Sequence, residues 1–241
     1  MKFTSFDEQD FVFDRDKCVV SRTCRRGQCG DNCAVYYKTE YIYGINNIPK
    51  KYRDWVPEDL SKIMREDVMR GVDHIKRLVE NPNYTRGMYL YGNVGSGKTS
   101  LGIVLLNDFL RRMINQYKIM EYVENGFTPV LFVPFSQYAE AYKARYSNKS
   151  DLMEMINNNI YRSHLVMIDD IGFDGQTKTT IDLLFNIVDS ALTNDRGLIL
   201  TGNLKPEKLQ AVLGSRLYSR IANGCECYEV RSSDLRSSFR V

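Results

Sequence analysis

Eight residues constrain this chain more than any other stretch: Gly92-Asn93-Val94-Gly95-Ser96-Gly97-Lys98-Thr99 match the pattern G-x-x-x-x-G-K-[ST]. They follow Met88–Tyr91, a short apolar run that reads as a strand, and precede Ser100-Leu101-Gly102-Ile103-Val104-Leu105-Leu106, which reads as a helix. Strand, glycine-rich loop and helix in that order is the setting a phosphate-binding loop requires. Glycines let backbone N–H groups turn inward on the phosphates, and the helix N-terminus adds partial positive charge. Lys98 would reach the β- and γ-phosphates of ATP, and the Thr99 hydroxyl would ligate Mg²⁺. With background glycine at about 7%, a random chain of this length matches the pattern only about 1% of the time. A chance glycine-rich turn is therefore the weaker explanation.

The loop fixes how the remaining apolar runs are read. Val130–Val133, Leu165–Ile168, Gly197–Leu200 and Cys225–Val230 have strand length, and helix-like segments lie near 98–115, 135–146, 178–193 and 206–222. Strands separated by helix-length segments imply βαβ units and a mainly parallel sheet with helices on both faces. The fold class is α/β, with five strands.

Leu165-Val166-Met167-Ile168-Asp169-Asp170 is an apolar strand ending in two carboxylates. Downstream of a phosphate-binding loop, Asp169 takes the Walker B role of holding Mg²⁺, and Asp170 is placed to orient and deprotonate an attacking water. Two aspartates ending a strand are otherwise an ordinary polar turn. The pairing with Lys98 and Thr99 turns an ATP-binding reading into an ATPase reading.

Upstream, Leu60, Ile63, Met64, Val68, Val72, Ile75 and Leu78–Val79 recur at helical spacing, with Pro57 suited to the first turn and Asn81-Pro82-Asn83 closing it. This divides the chain into a Cys-rich segment 1–56 with little helical periodicity, a linking amphipathic helix over 57–85 and an ATPase domain over 86–241. Cys18, Cys24, Cys29 and Cys33 lie within 16 residues as C-x₅-C-x₄-C-x₃-C. Four thiols so close suggest a structural Zn²⁺ site. An iron–sulfur cluster uses the same ligand count, and free or redox thiols are the third reading, since the paired C-x₂-C knuckles are missing. Cys225 and Cys227 read as small core residues.

Composition sets limits. Hydrophobic residues at 43% and charged residues at 26% suit a globular protein. No run approaches the roughly 18 apolar residues of a membrane span, and the start carries no secretory pattern, so a cytoplasmic protein without membrane association is expected. The net charge of +3 does not announce a nucleic-acid binder, although seven basic residues against four acidic ones follow from Lys205 onward.

Ile48-Pro49-Lys50-Lys51-Tyr52-Arg53, the Gly92–Thr99 loop, Ile168-Asp169-Asp170-Ile171-Gly172 and Gly214-Ser215-Arg216-Leu217-Tyr218-Ser219-Arg220-Ile221 occur in that order. Over residues 45–241 the chain resembles the DnaC/DnaI-type helicase loaders, an AAA+ group that includes the IstB transposition helpers. The resemblance implies an AAA+ fold without a C-terminal helical lid. It also implies a sensor 1 role for Asn203 in Thr201-Gly202-Asn203, which alone would read as a turn. Arg220 matches the arginine finger acting on a neighbouring subunit's ATP, with Arg216 one turn earlier as the alternative, and Arg236 matches the sensor 2 contact to ATP in cis. Finger action in trans implies self-association through the ATP sites.

The partners implied are a hexameric replicative helicase, bound through residues 1–56, and single-stranded DNA, held by basic residues such as Lys205 and Lys208. The competing functions are an IstB-like helper acting on duplex DNA, a metal-dependent adaptor with a silent ATPase, and a P-loop small-molecule kinase.

Overall fold

A computed structural model describes Cys18 and residues 33–81, 83–116, 119–145, 150–173 and 175–232. Five strands form one sheet: β1 (Gly87–Tyr91), β2 (Val130–Pro134), β3 (Leu165–Ile171), β4 (Gly197–Gly202) and β5 (Cys225–Glu229). Their spatial order is β2-β3-β4-β1-β5, and every pairing is parallel. Parallel strands need crossover connections, and helices that supply them cover both faces of the sheet.

Alternation along the strands sorts the two faces. Met88, Leu90, Phe132, Met167 and Ile199 enter one core with Leu101, Leu105 and Phe109 of α3 (Lys98–Asn115). Leu60, Met64, Val68 and Ile75 of α2 (Pro57–Glu80) close that layer. Tyr89, Leu131, Val133, Val166, Ile168 and Leu200 point the other way, against helices α5 (Phe135–Lys143), α6 (Asp151–Asn159), α7 (Lys178–Thr193) and α8 (Pro206–Gly224). Residues two apart share a face and both faces are covered, so the strands read as continuous apolar runs.

The region before residue 57 departs from the expectation of little helix. α1 (Ala34–Ile45) buries Tyr36, Thr39, Ile42 and Tyr43, a face spaced three to four residues apart. Tyrosines and a threonine carry much of that face, which hid it from an apolar count. Ile42, Tyr43 and Ile48 join the same core as α2 and α3, and Tyr43 Oη donates to Asn107 Oδ1 of α3 at 2.9 Å.

A short α4 (Met120–Glu124) and α6 also escaped the pattern reading. α2 begins with Pro57 at its first turn as expected, and the Val56 N–H donates to Asp59 Oδ2 at 2.9 Å. Ile63 of α2 is 39% exposed rather than buried, and the next residue, Met64, leaves helical geometry (φ −137°, ψ 54°). Cys225 is buried as expected, whereas Cys227, two residues along the edge strand β5, is exposed. Among the described residues, no helix is long and apolar enough to cross a membrane.

Candidate active site

β1 lies between β4 and β5 in the sheet, and the loop that follows it, Gly92, Asn93, Val94, Gly95, Ser96 and Gly97, leads into Lys98 and Thr99 at the start of α3. Gly92 has φ +152°, and a Cβ there would sit 2.5 Å from the Val230 carbonyl oxygen. Only glycine lets β1 turn while the backbone after β5 passes this close. Gly97 is left-handed (φ 87°) at the N-cap of α3, which leaves the first N–H groups of the helix open to an anion. The Ser96 hydroxyl is buried and has no hydrogen-bond partner among the described residues. Ser232 Oγ donates to the Ser96 carbonyl at 2.7 Å and ties the loop to the chain beyond β5.

Lys98 is buried, and its Nζ donates to the Gly92 and Asn93 carbonyls at 3.0 and 2.7 Å. The ammonium thus spans the mouth of the loop. Thr99 Oγ1 donates to Asp169 Oδ1 at 2.9 Å, so the two residues read separately as magnesium ligands meet across α3 and β3. Thr201 Oγ1 of β4 donates to the same carboxylate oxygen at 2.6 Å. Burial raises the Asp169 pKa, while hydrogen bonds from Thr201 and Thr99 pull it down; the adjacent Asp170 charge raises it and Lys98 lowers it. A carboxylate so desolvated gains from a cation at its open side.

Asp170 has φ 60° and lies in an irregularity of the β3–β4 ladder, between Ile168 and Ile171. Asn203 Nδ2, just past β4, lies 3.5 Å from Asp170 Oδ1. A cavity of about 750 Å³ unites these groups: its lining includes Gly95, Lys98, Thr99, Asp169, Asp170 and Asn203. The residues fit a nucleoside triphosphate with Mg²⁺, since they combine a glycine cradle, an ammonium and a hydroxyl–carboxylate pair.

Three cavity residues, Lys51, Tyr52 and Trp55, were not foreseen as site residues. They belong to the Ile48–Arg53 stretch and the turn after it. Tyr52 and Trp55 pack edge to face at 4.9 Å, with Lys51 Nζ 4.7 Å from the Tyr52 ring centre. Asn107 and Arg111 of α3 hold this wall by donating to the Trp55 carbonyl at 3.3 and 2.7 Å. Thr201 was likewise missed, although it shares a strand face with Asn203.

Arg220 does not line this cavity. It projects from the last turns of α8, half-exposed, with Nε 2.6 Å from Asp189 Oδ1 of α7. Arg216 lies on the same helix with its guanidinium 3.8 Å from the Phe185 ring centre. Arg236, Cys24 and Cys29 lie outside the described residues. Cys18 and Cys33 are half-buried, and among the described residues no group of three His, Cys, Asp or Glu side chains could hold a metal.

A five-stranded parallel sheet with a phosphate-binding loop after β1, paired carboxylates at the end of β3 and an asparagine after β4 defines a P-loop ATPase of the AAA+ class. The profile of the bacterial DnaA ATPase domain matches residues 72–228, and the chain belongs to that family. Among curated relatives, the chromosomal replication initiator protein DnaA of Mycoplasma genitalium is 25% identical over 195 residues, which is 77% of this chain and 42% of the relative. The chain therefore spans less than half the length of that protein.

Its fold is shared with solved structures of the replication-initiation group. A crystal structure of DnaI superposes with a TM-score of 0.60 at 18% identity, covering 76% of this chain and 95% of that one. DnaA bound to AMPPCP and single-stranded DNA gives a TM-score of 0.54 at 21% identity, covering 76% and 51%.

Proposed function

We propose that this ATPase loads a hexameric replicative helicase onto single-stranded DNA. The observation that carries the reading is the placement of the Ile48–Arg53 stretch. It forms a wall of the ATP cavity through Lys51 and Tyr52, so both stretches that most specifically resemble DnaC/DnaI-type loaders, this one and Ile168–Gly172, reach the nucleotide site. The fold shared with DnaI supports the same reading.

In this assignment Lys98 and the loop N–H groups bind the β- and γ-phosphates. Thr99 and Asp169 would hold Mg²⁺, which would neutralise charge on the phosphates. Asp170 accepts the proton of the water that attacks the γ-phosphorus, as the bond to the β-phosphate oxygen breaks and ADP leaves. Asn203 orients that water, Arg220 completes the site of a neighbouring subunit, and Arg236 contacts ATP in cis. Residues 1–56 hold the helicase, and zinc on Cys18, Cys24, Cys29 and Cys33 would staple their first part.

The test is size-exclusion with light scattering of the purified protein and its host's replicative helicase, with and without ATP. A stoichiometric complex, lost when residues 1–33 are deleted, is expected, with stoichiometric zinc in the intact protein. A zinc-free, fully binding protein removes the four-thiol site. Membership of the DnaA family favours a second reading, an initiator that assembles on DNA itself. ATP-dependent assembly on single-stranded DNA without any helicase complex would select that reading instead.

A further inference from the structure

Successive residues of a regular strand point to opposite faces of the sheet, yet Asp169 and Asp170 both line the ATP cavity. The ladder explains how. Ile168 pairs with Leu200 and Ile171 with Gly202, so two residues of β3, Asp169 and Asp170, stand opposite one residue of β4, Thr201. This is a bulge, the device by which a strand re-aims a side chain. Asp170 carries its strain as a left-handed residue at φ 60°.

One hydroxyl holds both members. Thr201 Oγ1 donates its hydrogen to Asp169 Oδ1 at 2.6 Å and accepts the Asp170 backbone N–H at 2.9 Å. Its one donor serves the carboxylate and an acceptor lone pair serves the amide. Thr201 itself is 1% exposed. Thr99 Oγ1 reaches the same Asp169 oxygen at 2.9 Å. If Thr99 turns to a metal ion, Thr201 remains the donor that fixes the carboxylate.

The geometry points to Thr201 as a positioning residue for ATP hydrolysis: it pins the β3 bulge so that both adjacent carboxylates face one site. This rests on the assignment of Asp169 and Asp170 made above. Thr201 lines the same cavity; in this role it acts through the two aspartates.

Steady-state turnover and binding of a fluorescent ATP analogue, measured on Thr201→Val, Thr201→Ser and Asp170→Asn, test it. Valine keeps the shape and removes the hydroxyl. Thr201→Val is expected to lose roughly 10–100-fold in kcat, as supporting residues of metal sites do, and to keep analogue affinity near wild type. Thr201→Ser restores the hydroxyl and most of the turnover. Should the valine variant fail to bind the analogue, Thr201→Ala removes the hydroxyl without a buried methyl in its place; loss of binding there too makes Thr201 merely structural and overturns the proposal. Equal kcat for Thr201→Val and wild type overturns it as well, as does a serine variant no better than valine. Asp170→Asn separates the two levels. If that variant turns over ATP normally, the assignment of Asp170 fails, whatever Thr201 does. If it is inactive while Thr201→Val is normal, only the positioning role falls.

Discussion

In the proposed assignment Lys98 and Asp170 have separable tasks, and their surroundings say which measurement each should disturb. Lys98 is buried at the loop mouth, with its ammonium against the Gly92 and Asn93 carbonyls. Lys98 and Lys51 are the side-chain cations among the described cavity residues, and Lys98 alone lies in the loop, so Lys98→Ala is expected to lose detectable ATP binding. Asp170 lies across the cavity on β3, and its side chain is approached by the Asn203 amide rather than by the loop. Asp170→Asn keeps the shape and removes the base. It should bind ATP as wild type does and lose turnover by the 10²–10⁴-fold typical of a positioned general base. Isothermal titration with a non-hydrolysable analogue, set beside phosphate release, distinguishes the two. An Asp170→Asn protein that hydrolyses normally would show that another group handles the proton.

At the scale of elements, α2 is joined to β5 by a polar clamp. Glu226 receives Arg77 through two bonds of 3.1 Å and the Tyr84 hydroxyl at 2.8 Å, and Tyr228 Oη also donates to it. Burial alone would raise the Glu226 pKa, but the Arg77, Tyr228 and Tyr84 donors outweigh it and bring it to about 2. His74 of α2 is fully enclosed, 2.9 Å from Tyr84 Oη and 3.6 Å from Glu226 Oε2. Burial dominates there, against the attraction of Glu226, and lowers the imidazole from 6.5 to about 4.

Between those two values the unfolded chain binds a proton that the folded chain refuses. Stability therefore falls as pH drops from about 6.5 toward 4, at up to about 1.4 kcal/mol per pH unit for one group. Glu226 continues the loss from 4.5 toward 2. The carboxyls of Asp169, Asp108 and Glu40 are raised, chiefly by burial, and act in the opposite sense. Urea unfolding of wild type and His74→Gln at pH 7 and pH 5 isolates the histidine: wild type should lose more stability than the variant. Equal losses would mean that His74 does not carry the dependence.

How far such elements could be read from sequence depended on whether one segment held the whole signal. The five strands were legible because each is a short apolar run between polar turns, and the Gly92–Thr99 loop because its spacing is local. α1 was not, since Tyr36, Thr39 and Tyr43 bury polar-looking side chains, and Tyr43 finds its partner Asn107 64 residues further along the chain. Thr201 was hidden for another reason. Its partners Asp169 and Asp170 lie on a different strand, and only the pairing of β3 with β4 brings them to its hydroxyl. Strand alternation alone did place Thr201 on the face of Asn203, a clue available in Thr201-Gly202-Asn203.

For the whole molecule, the question is whether one chain contains a complete ATPase site. Lys98, Thr99, Asp169, Asp170 and Asn203 converge on one cavity, while Arg220 stands apart on α8, paired to Asp189 across the α7–α8 surface. A half-exposed ion pair of this kind contributes little to stability, so Arg220→Ala should fold and bind ATP like wild type. If Arg220 instead reaches a neighbour's γ-phosphate, its loss should cost turnover by about 10³-fold or more, and wild-type turnover per chain should rise with protein concentration. Mixing variants then gives a decisive arrangement. Asp170→Asn chains are expected not to hydrolyse their own ATP but still offer Arg220; Arg220→Ala chains keep an intact cavity but lack the arginine. Where the first sits beside the second, one complete site forms at their junction. The mixture should therefore hydrolyse ATP faster than either protein alone. Arg216 provides the internal control, because its guanidinium lies on the Phe185 ring one turn earlier. Should Arg216→Ala rather than Arg220→Ala be the partner rescued by Asp170→Asn, the finger sits one turn nearer the start of α8. A mixture that assembles with ATP yet stays silent for both arginines would show that neither completes a neighbouring site.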